Sequence, residues 1–143
     1  AYARAPHFAR YAPLLEDLYA RANGMEHLSA LNVMFLRALA DELELAARFV
    51  MSSELGIAGE RTERLVSICR SLGADRYLSG PSAQAYLDEA QFAAAGIAVE
   101  WMDYSGYPEY LQLHGPFEHG VSVLDLLFNA GPRAREYMKA GNS

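Results

Sequence analysis

The sequence predicts an α/β fold in three layers: a small, mostly parallel sheet with flanking helices, an N-terminal helical hairpin and two C-terminal helices. Three observations support this prediction. Apolar residues recur at helical spacing near both ends of the chain. Between the ends, short apolar runs alternate with helical patterns, and connections of that length join parallel strands by right-handed crossovers. With 143 residues, the whole chain, 1–143, fits a single domain.

The first two helices are predicted to form a hairpin. Pro6 suits the first turn of a helix whose apolar stripe runs from Phe8 to Ala22 and which Asn23-Gly24 ends. The same period continues from Leu28 to about Leu43. Because both stripes are apolar and regular, we interpret them as core-packing surfaces and not as a cofactor site.

Three strands and two helices are predicted in the central part of the chain. The strands are Ala47–Met51, Arg76–Leu78 and Ile97–Tyr104, and the helices are Thr62–Leu72 and a segment from Pro81 to Gly96. Strands this short suit a sheet that is covered on both faces. A sheet of three strands is narrow, so a further strand from additional sequence or from a partner is expected to complete it.

The C-terminal part is predicted to hold two helices, one from Ser122 to Asn129 and one from Pro132 to Ala140. Gly131-Pro132 separates them. The Ser122 hydroxyl is placed to cap the first helix, and Asp125 three residues later completes a weaker form of the capping box.

Charge and residue content exclude several classes of function. A formal charge of −6 argues against a general nucleic-acid or anionic-membrane binder, because either would need a basic face. Lys139 is the only lysine, so no phosphate-binding loop of the Walker type, which needs a lysine after its glycines, is present. The sequence also lacks the Gly-x-Ser-x-Gly and Gly-x-Gly-x-x-Gly motifs. It identifies no cofactor.

The compartment is predicted from what the chain lacks. Cys69 is the only cysteine, so an internal disulfide is ruled out. No apolar run approaches the ~18 residues that a membrane span needs, and there is no signal segment at the start. We therefore expect a cytoplasmic protein without a membrane span. The opening stretch 1–6 reads like the interior of a longer protein, so we expect a fragment or a processed chain.

Small or polar residues follow each predicted strand. They are Ser52, Ser53, Ser79, Gly80 and Asp103. Ligands of open parallel sheets bind beyond the carboxyl ends of the strands. Ser79-Gly80 also combines a hydroxyl, a bare backbone and a helix N-terminus, which is an arrangement that receives an anion. The alternative is that Ser79 or Gly80 only caps the helix.

An aromatic, polar stretch at 107–117 is the second candidate region. Long loops without regular structure in compact domains are usually functional or disordered, and the aromatic content argues against disorder. His114 could act as a general acid or base near neutral pH, with Tyr110 and Gln112 orienting it or a substrate. The alternative is a loop histidine bonded to backbone. No metal site is predicted, because Gly115-Pro116 keeps His114 and His119 off one helix face.

Asp125 and Asn129 are four residues apart, which places both on one face of an otherwise apolar helix. A carboxylate and an amide in such surroundings must find partners or face a cleft. We therefore include both in the candidate site. The alternative for Asp125 is a purely structural partner of the Ser122 cap.

Several short blocks, in this order and spacing over nearly the whole chain, resemble the WbqC-like protein family. They are Ala5-Pro6-His7-Phe8, Met51-Ser52-Ser53-Glu54-Leu55, Tyr77-Leu78-Ser79-Gly80, Tyr86-Leu87-Asp88, Phe92 with Gly96-Ile97, Tyr110-x-Gln112, Phe117 and Ser122-Val123-Leu124-Asp125-Leu126-Leu127-Phe128-Asn129-x-Gly131. Members of that family begin with a strand, a His-Gln-Pro-type motif and an acidic strand, which this sequence lacks. The resemblance therefore implies the C-terminal portion of such a protein.

The resemblance also implies a function. Family members occur among genes for O-antigen and other surface glycans, and transfer of a glycyl or similar acyl group to a sugar has been suggested for them. We expect a biosynthetic enzyme that moves an acyl or aminoacyl group to an amino sugar or nucleotide sugar. In that scheme His114 would deprotonate the acceptor amine or hydroxyl, Asp125 would orient it, and Ser79-Gly80 would hold an anionic group.

Two alternatives remain open. One is a non-catalytic module that binds a nucleotide sugar or docks a biosynthetic partner. The other is a structural fragment whose exposed sheet edge needs the missing N-terminal half or a second copy of the chain.

Overall fold

Helices make up most of the regular structure in the computed structural model, which describes residues 1–139. The α-helices in this range are α1 (Phe8–Ala22), α2 (Leu28–Glu42), α3 (Arg61–Ser71), α4 (Glu89–Ala94) and α5 (Val123–Ala130). Short 3₁₀ segments span Ser52–Leu55, Pro81–Ala85 and Gly131–Tyr137. The strands are β1 (Arg76–Ser79) and β2 (Ala98–Trp101). The predicted α/β class is confirmed.

The chain forms two compact units. The first consists of Ala1–Phe49 together with the chain from Gly106 onward, and the second is Val50–Ser105. The first unit holds α1, α2 and α5, and the second holds α3, α4 and the sheet. None of the helices in residues 1–139 is both long and apolar enough to cross a bilayer.

Helix α5 is the centre of the first unit. Every residue from Asp125 to Ala130 on it is buried, although the helix has only eight residues. The Phe128 ring contacts the rings of Tyr2 and Phe8 at centroid distances of 5.1 and 5.3 Å, so the N-terminal segment packs directly on α5. The backbone N–H of His7 also donates to the Phe128 carbonyl at 2.9 Å.

Both ends of α5 have sequence-encoded boundaries. The Ser122 hydroxyl accepts the Leu124 N–H at 3.1 Å, which confirms the predicted cap. Gly131 follows the helix with φ +62° and ψ −132°, a conformation that L side chains rarely adopt. A Cβ there would meet three atoms of the His7 ring at 2.5 Å, so the ring and the backbone both require glycine.

The second unit is built around a parallel strand pair. Arg76 of β1 is in register with Ala98 of β2, and Ser79 with Trp101. The inner face of the pair covers a small core that includes Phe92 of α4, whose ring stacks on Tyr77 at 4.8 Å. The parallel pairing of these two segments is as predicted.

Several details of the predicted sheet are wrong. The expected first strand, Ala47–Met51, is not a strand, and the Ala47 N–H makes only a local bond to the Leu45 carbonyl at 2.8 Å. Its apolar run covers only 49–51, which is too short to distinguish a strand from coil. The sheet is also not covered on both faces, because alternate residues of β1 and β2 are exposed, including an ion pair between Arg76 and Glu100 at 3.3 Å.

Two further boundaries differ from the prediction. The segment from Pro81 to Gly96 is not one helix, because Asp88 starts a new one: its carboxylate accepts the Ala90 N–H at 3.1 Å and its N–H donates to Thr62 Oγ1 at 3.2 Å. The predicted strand Ile97–Tyr104 ends at Trp101.

The last predicted helix, Pro132–Ala140, is a 3₁₀ segment over Gly131–Tyr137. Residue 140, its predicted end, lies outside the described residues.

Candidate functional site

The Asp125 carboxylate is the point where polar groups of the first unit converge. Asp125 Oδ1 accepts the Tyr110 hydroxyl at 2.7 Å and the Gln112 Nε2 at 3.1 Å. The Tyr2 hydroxyl interacts with the same carboxylate. Because the side chain is on the first turn of a capped helix, it also lies at the end that favours negative charge. Asp125 is only 6% exposed, so these donors replace water for a nearly buried anion.

Burial and the nearby carboxylate raise the pKa of two tyrosines. Burial raises the pKa of Tyr110 to about 12; the bond from Gln112 opposes this effect, and the bond and charge of Asp125 add to it. The pKa of Tyr2 is raised by its burial and by the hydrogen bond and charge of Asp125. Both phenols are therefore protonated at neutral pH by a wider margin than an exposed tyrosine, and the Tyr110 hydroxyl donates to Asp125.

The Gln112 carboxamide fixes the loop that precedes α5. Its Nε2 donates to the Glu118 carbonyl and its Oε1 accepts the Glu118 N–H, each at 2.9 Å. One side chain thus satisfies both backbone groups of a residue six positions away. Since the same Nε2 reaches Asp125, the carboxamide connects the loop to the helix.

Aromatic rings enclose the Tyr110 side of this cluster. Phe117 and Tyr137 both meet the Tyr110 ring edge-on, at 5.2 and 5.5 Å. Phe117 in turn contacts His119 at 4.7 Å. This packing holds the Tyr110 hydroxyl in place and lowers the local polarity around its bond to Asp125.

Asn129 lies one turn after Asp125 and is 9% exposed. Its Nδ2 donates to the Asp125 main-chain carbonyl at 2.8 Å. Its Oδ1 is buried and has no hydrogen-bond partner among the described residues. The two polar residues that the sequence places on one face of the helix are therefore adjacent in space.

His114 makes no hydrogen bond to this cluster within residues 1–139. It lies in the exposed turn that contains the cis Gly115-Pro116 peptide bond. Within residues 1–139 its side chain makes no hydrogen bond or ion pair, so no such bond joins it to Asp125. Of the residues predicted in this region, the structure brings Tyr110, Gln112, Asp125 and Asn129 together, and leaves His114 in contact with solvent.

The remaining predicted ligand-binding residues belong to the second unit. Ser52 and Ser53 begin an exposed 3₁₀ turn. Ser79 ends β1, and its carbonyl accepts the Met102 N–H at 2.8 Å. Gly80 caps the 3₁₀ segment Pro81–Ala85 through its backbone. Asp103 Oδ1 accepts the Ser105 N–H at 2.9 Å, a local turn bond.

These second-unit positions support an anion site only weakly. The segment that follows Ser79-Gly80 is a five-residue 3₁₀ turn and not the longer α-helix whose dipole was expected to help hold an anion. The Tyr104 hydroxyl is the nearest side-chain atom to Gly80, 3.4 Å from where a Cβ would stand.

Sequence reasoning missed two members of the Asp125 cluster. Tyr2 is far from Asp125 along the chain, and no spacing signal relates them. Glu118 takes part through its backbone, which a side-chain motif cannot reveal. The aromatic content of the 107–117 stretch was the one available signal, and it led to Tyr110.

A separate cleft of about 70 Å³ lies elsewhere in the first unit. It is lined by charged side chains of both signs, including Arg10, Glu42, Glu44 and Arg135. No residue predicted for the site lines it. Among residues 1–139, no group of three or more His, Cys, Asp or Glu side chains is arranged to hold a metal ion.

The α/β fold and the Asp125 cluster occur in a chain that matches a known family over almost its entire length. The model of the WbqC-like protein family matches residues 1–137, and the chain belongs to that family. An uncharacterised protein of Mycobacterium tuberculosis, Rv1507c, is 42% identical over 138 residues, which is 96% of this chain and 59% of the relative. The chain thus spans about three fifths of that relative's length. No solved structure matches.

Proposed function

We propose that this chain is a WbqC-like biosynthetic enzyme, or part of one, that transfers an acyl or aminoacyl group such as glycyl to an amino sugar or nucleotide sugar. The setting is the cytoplasmic biosynthesis of O-antigen or a related surface polysaccharide. Membership of the WbqC-like family supports a biosynthetic role. The observation that carries the proposal is the convergence of Tyr110, Gln112 and Tyr2 on the nearly buried Asp125 carboxylate.

Asp125 suits the recognition of an acceptor with polar hydrogens. A carboxylate with little access to water attracts an N–H or O–H donor more strongly than an exposed one. The donors that already hold the Asp125 carboxylate fix its position. The entropic cost of ordering it is therefore met when the protein folds and not when the substrate binds. Such a group would orient an acceptor amine or hydroxyl.

The transfer step needs a base and an activated acyl donor. The acceptor nitrogen or oxygen would form a bond to the acyl carbon, while the ester or thioester bond of the donor breaks and its leaving group takes the electron pair. The acceptor's proton would pass to His114. That side chain is exposed and makes no hydrogen bond within residues 1–139, which leaves its imidazole available to a bound substrate.

The test uses the complete gene product and a turnover assay with amino sugars and activated acyl donors. His114→Ala should lower turnover by about a hundredfold or more with folding intact. His27→Ala, a change at another exposed histidine, is the matched control and should retain activity. Near-normal turnover of His114→Ala would rule out its assignment as the base.

A second candidate function is a non-catalytic module that binds a nucleotide sugar or docks a partner. The lack of a hydrogen bond between His114 and the Asp125 cluster within residues 1–139 favours it, because no such bond assembles the two into a catalytic pair. Calorimetry against nucleotide sugars, run beside the turnover assay, separates the candidates. Binding without turnover in the complete protein favours the module.

A further inference from the structure

Asn129 carries a buried acceptor that the described chain does not use. The bond from Nδ2 to the Asp125 carbonyl fixes which end of the amide is the donor, so Oδ1 is the end without a partner. Buried polar atoms are almost always paired, and each exception in a folded protein calls for an explanation. An apolar residue of similar size would avoid the cost of desolvating this oxygen.

An unpaired carboxamide oxygen and a carboxylate lie one turn apart on α5. The side chains of Asp125 and Asn129 are neighbours on one helix face. The Tyr110 hydroxyl donates to Asp125 at 2.7 Å, and the Tyr2 hydroxyl interacts with the same carboxylate. Each phenol oxygen then retains acceptor capacity of its own. A group that pairs with these acceptors must therefore be rich in N–H or O–H donors.

A protonated primary amine fits this chemistry better than a hydroxyl. An ammonium group supplies three donors and no acceptor, and its charge is opposite to that of Asp125. A hydroxyl supplies one donor and no charge. A carboxylate or phosphate would be repelled by Asp125 and would leave the Asn129 oxygen unpaired.

We propose that Asn129 Oδ1 and the Asp125 carboxylate form a subsite that selects the primary amine of an amino sugar. This inference rests on the proposed function and names its acceptor class. The ammonium form is the one that binds; transfer follows once it has released one proton to His114, and the second proton, lost on acylation, passes to the leaving group. Asn129 then sets specificity, since its oxygen accepts one of the amine hydrogens.

The test compares two ligands that differ at one position. UDP-glucosamine carries an amine where UDP-glucose carries a hydroxyl, and their dissociation constants are measured by calorimetry on the complete protein. We expect the amine to bind about tenfold more tightly or better, because a charge-assisted bond is roughly twice as strong as a neutral one. The preference should shrink at a pH above the amine's own pKa.

Three variants complete the experiment. Asn129→Leu should abolish the preference yet melt at or above the wild-type midpoint, because it removes the unpaired oxygen. Asn129→Asp keeps an oxygen acceptor and adds negative charge beside Asp125, so the preference should be at least as large as in the wild type, while the loss of the Nδ2 bond to the Asp125 carbonyl should lower the melting midpoint. Asn32→Leu makes the same change at an exposed position of α2 and should leave the preference intact.

The outcomes separate the two proposals. If both nucleotide sugars bind equally, the amine subsite is wrong while sugar binding stands. A preference that survives in Asn129→Leu would likewise exclude Asn129 as a contact, and a lower melting midpoint of that variant without loss of preference would make its role structural. Binding of neither ligand would overturn the subsite for nucleotide sugars, and absence of turnover with free amino sugars as well would overturn the proposed function.

Discussion

The Tyr110 hydroxyl donates to Asp125 Oδ1 at 2.7 Å across 15 residues of sequence. This bond joins the irregular stretch before α5 to the first turn of the helix itself. It joins a protonated phenol to a nearly buried carboxylate. For both groups it replaces hydrogen bonds to water that are lost on folding. The stability of the first unit and the geometry of the candidate site therefore share one hydrogen bond.

Removal of that hydroxyl is expected to destabilise the fold. Tyr110→Phe keeps the ring and its contacts with Phe117 and Tyr137 but leaves Asp125 short of one donor. We expect a loss of about 1–3 kcal/mol in the free energy of unfolding, measured by urea titration. Tyr19→Phe is the matched control, because Tyr19 is 64% exposed and its hydroxyl is free to contact water. Equal stability of the two variants would contradict a structural role for the bond.

Stability should fall at alkaline pH. The folded-state pKa of Tyr110, about 12, lies above its ordinary value of 10.0, so the folded chain holds this proton more tightly than the unfolded chain. The stabilisation is complete below about pH 10 and is lost as pH rises towards 12. The raised pKa values of Tyr2 and Cys69 act in the same direction.

The measurement is the urea midpoint as a function of pH for the wild type, Tyr110→Phe and Tyr19→Phe. We expect the urea midpoint of Tyr110→Phe to fall least with rising pH, because this variant lacks the Tyr110 phenol, which binds its proton more tightly in the folded state. The decline for Tyr19→Phe should follow the wild type. A Tyr110→Phe profile parallel to that of the wild type would show that the phenol does not titrate as described.

Gln112 is expected to control the opening of the loop. Gln112→Leu removes both bonds to the Glu118 backbone, so the Glu118 N–H should lose its protection against hydrogen exchange. The Leu124 N–H, which is held by Ser122, is the internal reference and should stay protected. If both amides lose protection equally, the substitution has unfolded the helix end and not only the loop.

Gly131 is expected to tolerate no side chain. Gly131→Ala places a methyl group 2.5 Å from the His7 ring and forces alanine to φ +62°, so we expect a loss of about 2 kcal/mol or more in unfolding free energy. The double variant with His7→Ala should recover the steric part only. Gly80→Ala, at φ −71°, is the control and should change stability by about 0.5 kcal/mol or less.

The sequence predicted those elements whose signals are local. The end of α1, the cap of α5 and the break at Gly131-Pro132 each depend on residues within one turn of the boundary. The strand at Ala47–Met51 was wrong because three consecutive apolar residues carry no period. The helix from Pro81 was split because Asp88 bonds to Thr62, a contact between distant parts of the sequence.

Residues of the candidate site were likewise predicted where the sequence carries a local signal. Asp125 and Asn129 were found by their spacing on one helix, and Tyr110 and Gln112 by the aromatic character of their loop. Tyr2 could not be found, since only the fold brings it to Asp125. The role of His114 remains a prediction, because residue type suggested it and the described contacts neither support nor replace it.

The Gln112 carboxamide bonds to the backbone of Glu118 as a neighbouring strand would. It donates to the Glu118 carbonyl and accepts from the Glu118 N–H, as a peptide group does. The residues between Gln112 and Glu118 therefore need not hold the two ends of the loop together. A substitution of His114 in this exposed turn should then alter the chemistry of the site without disturbing the helix that carries Asp125.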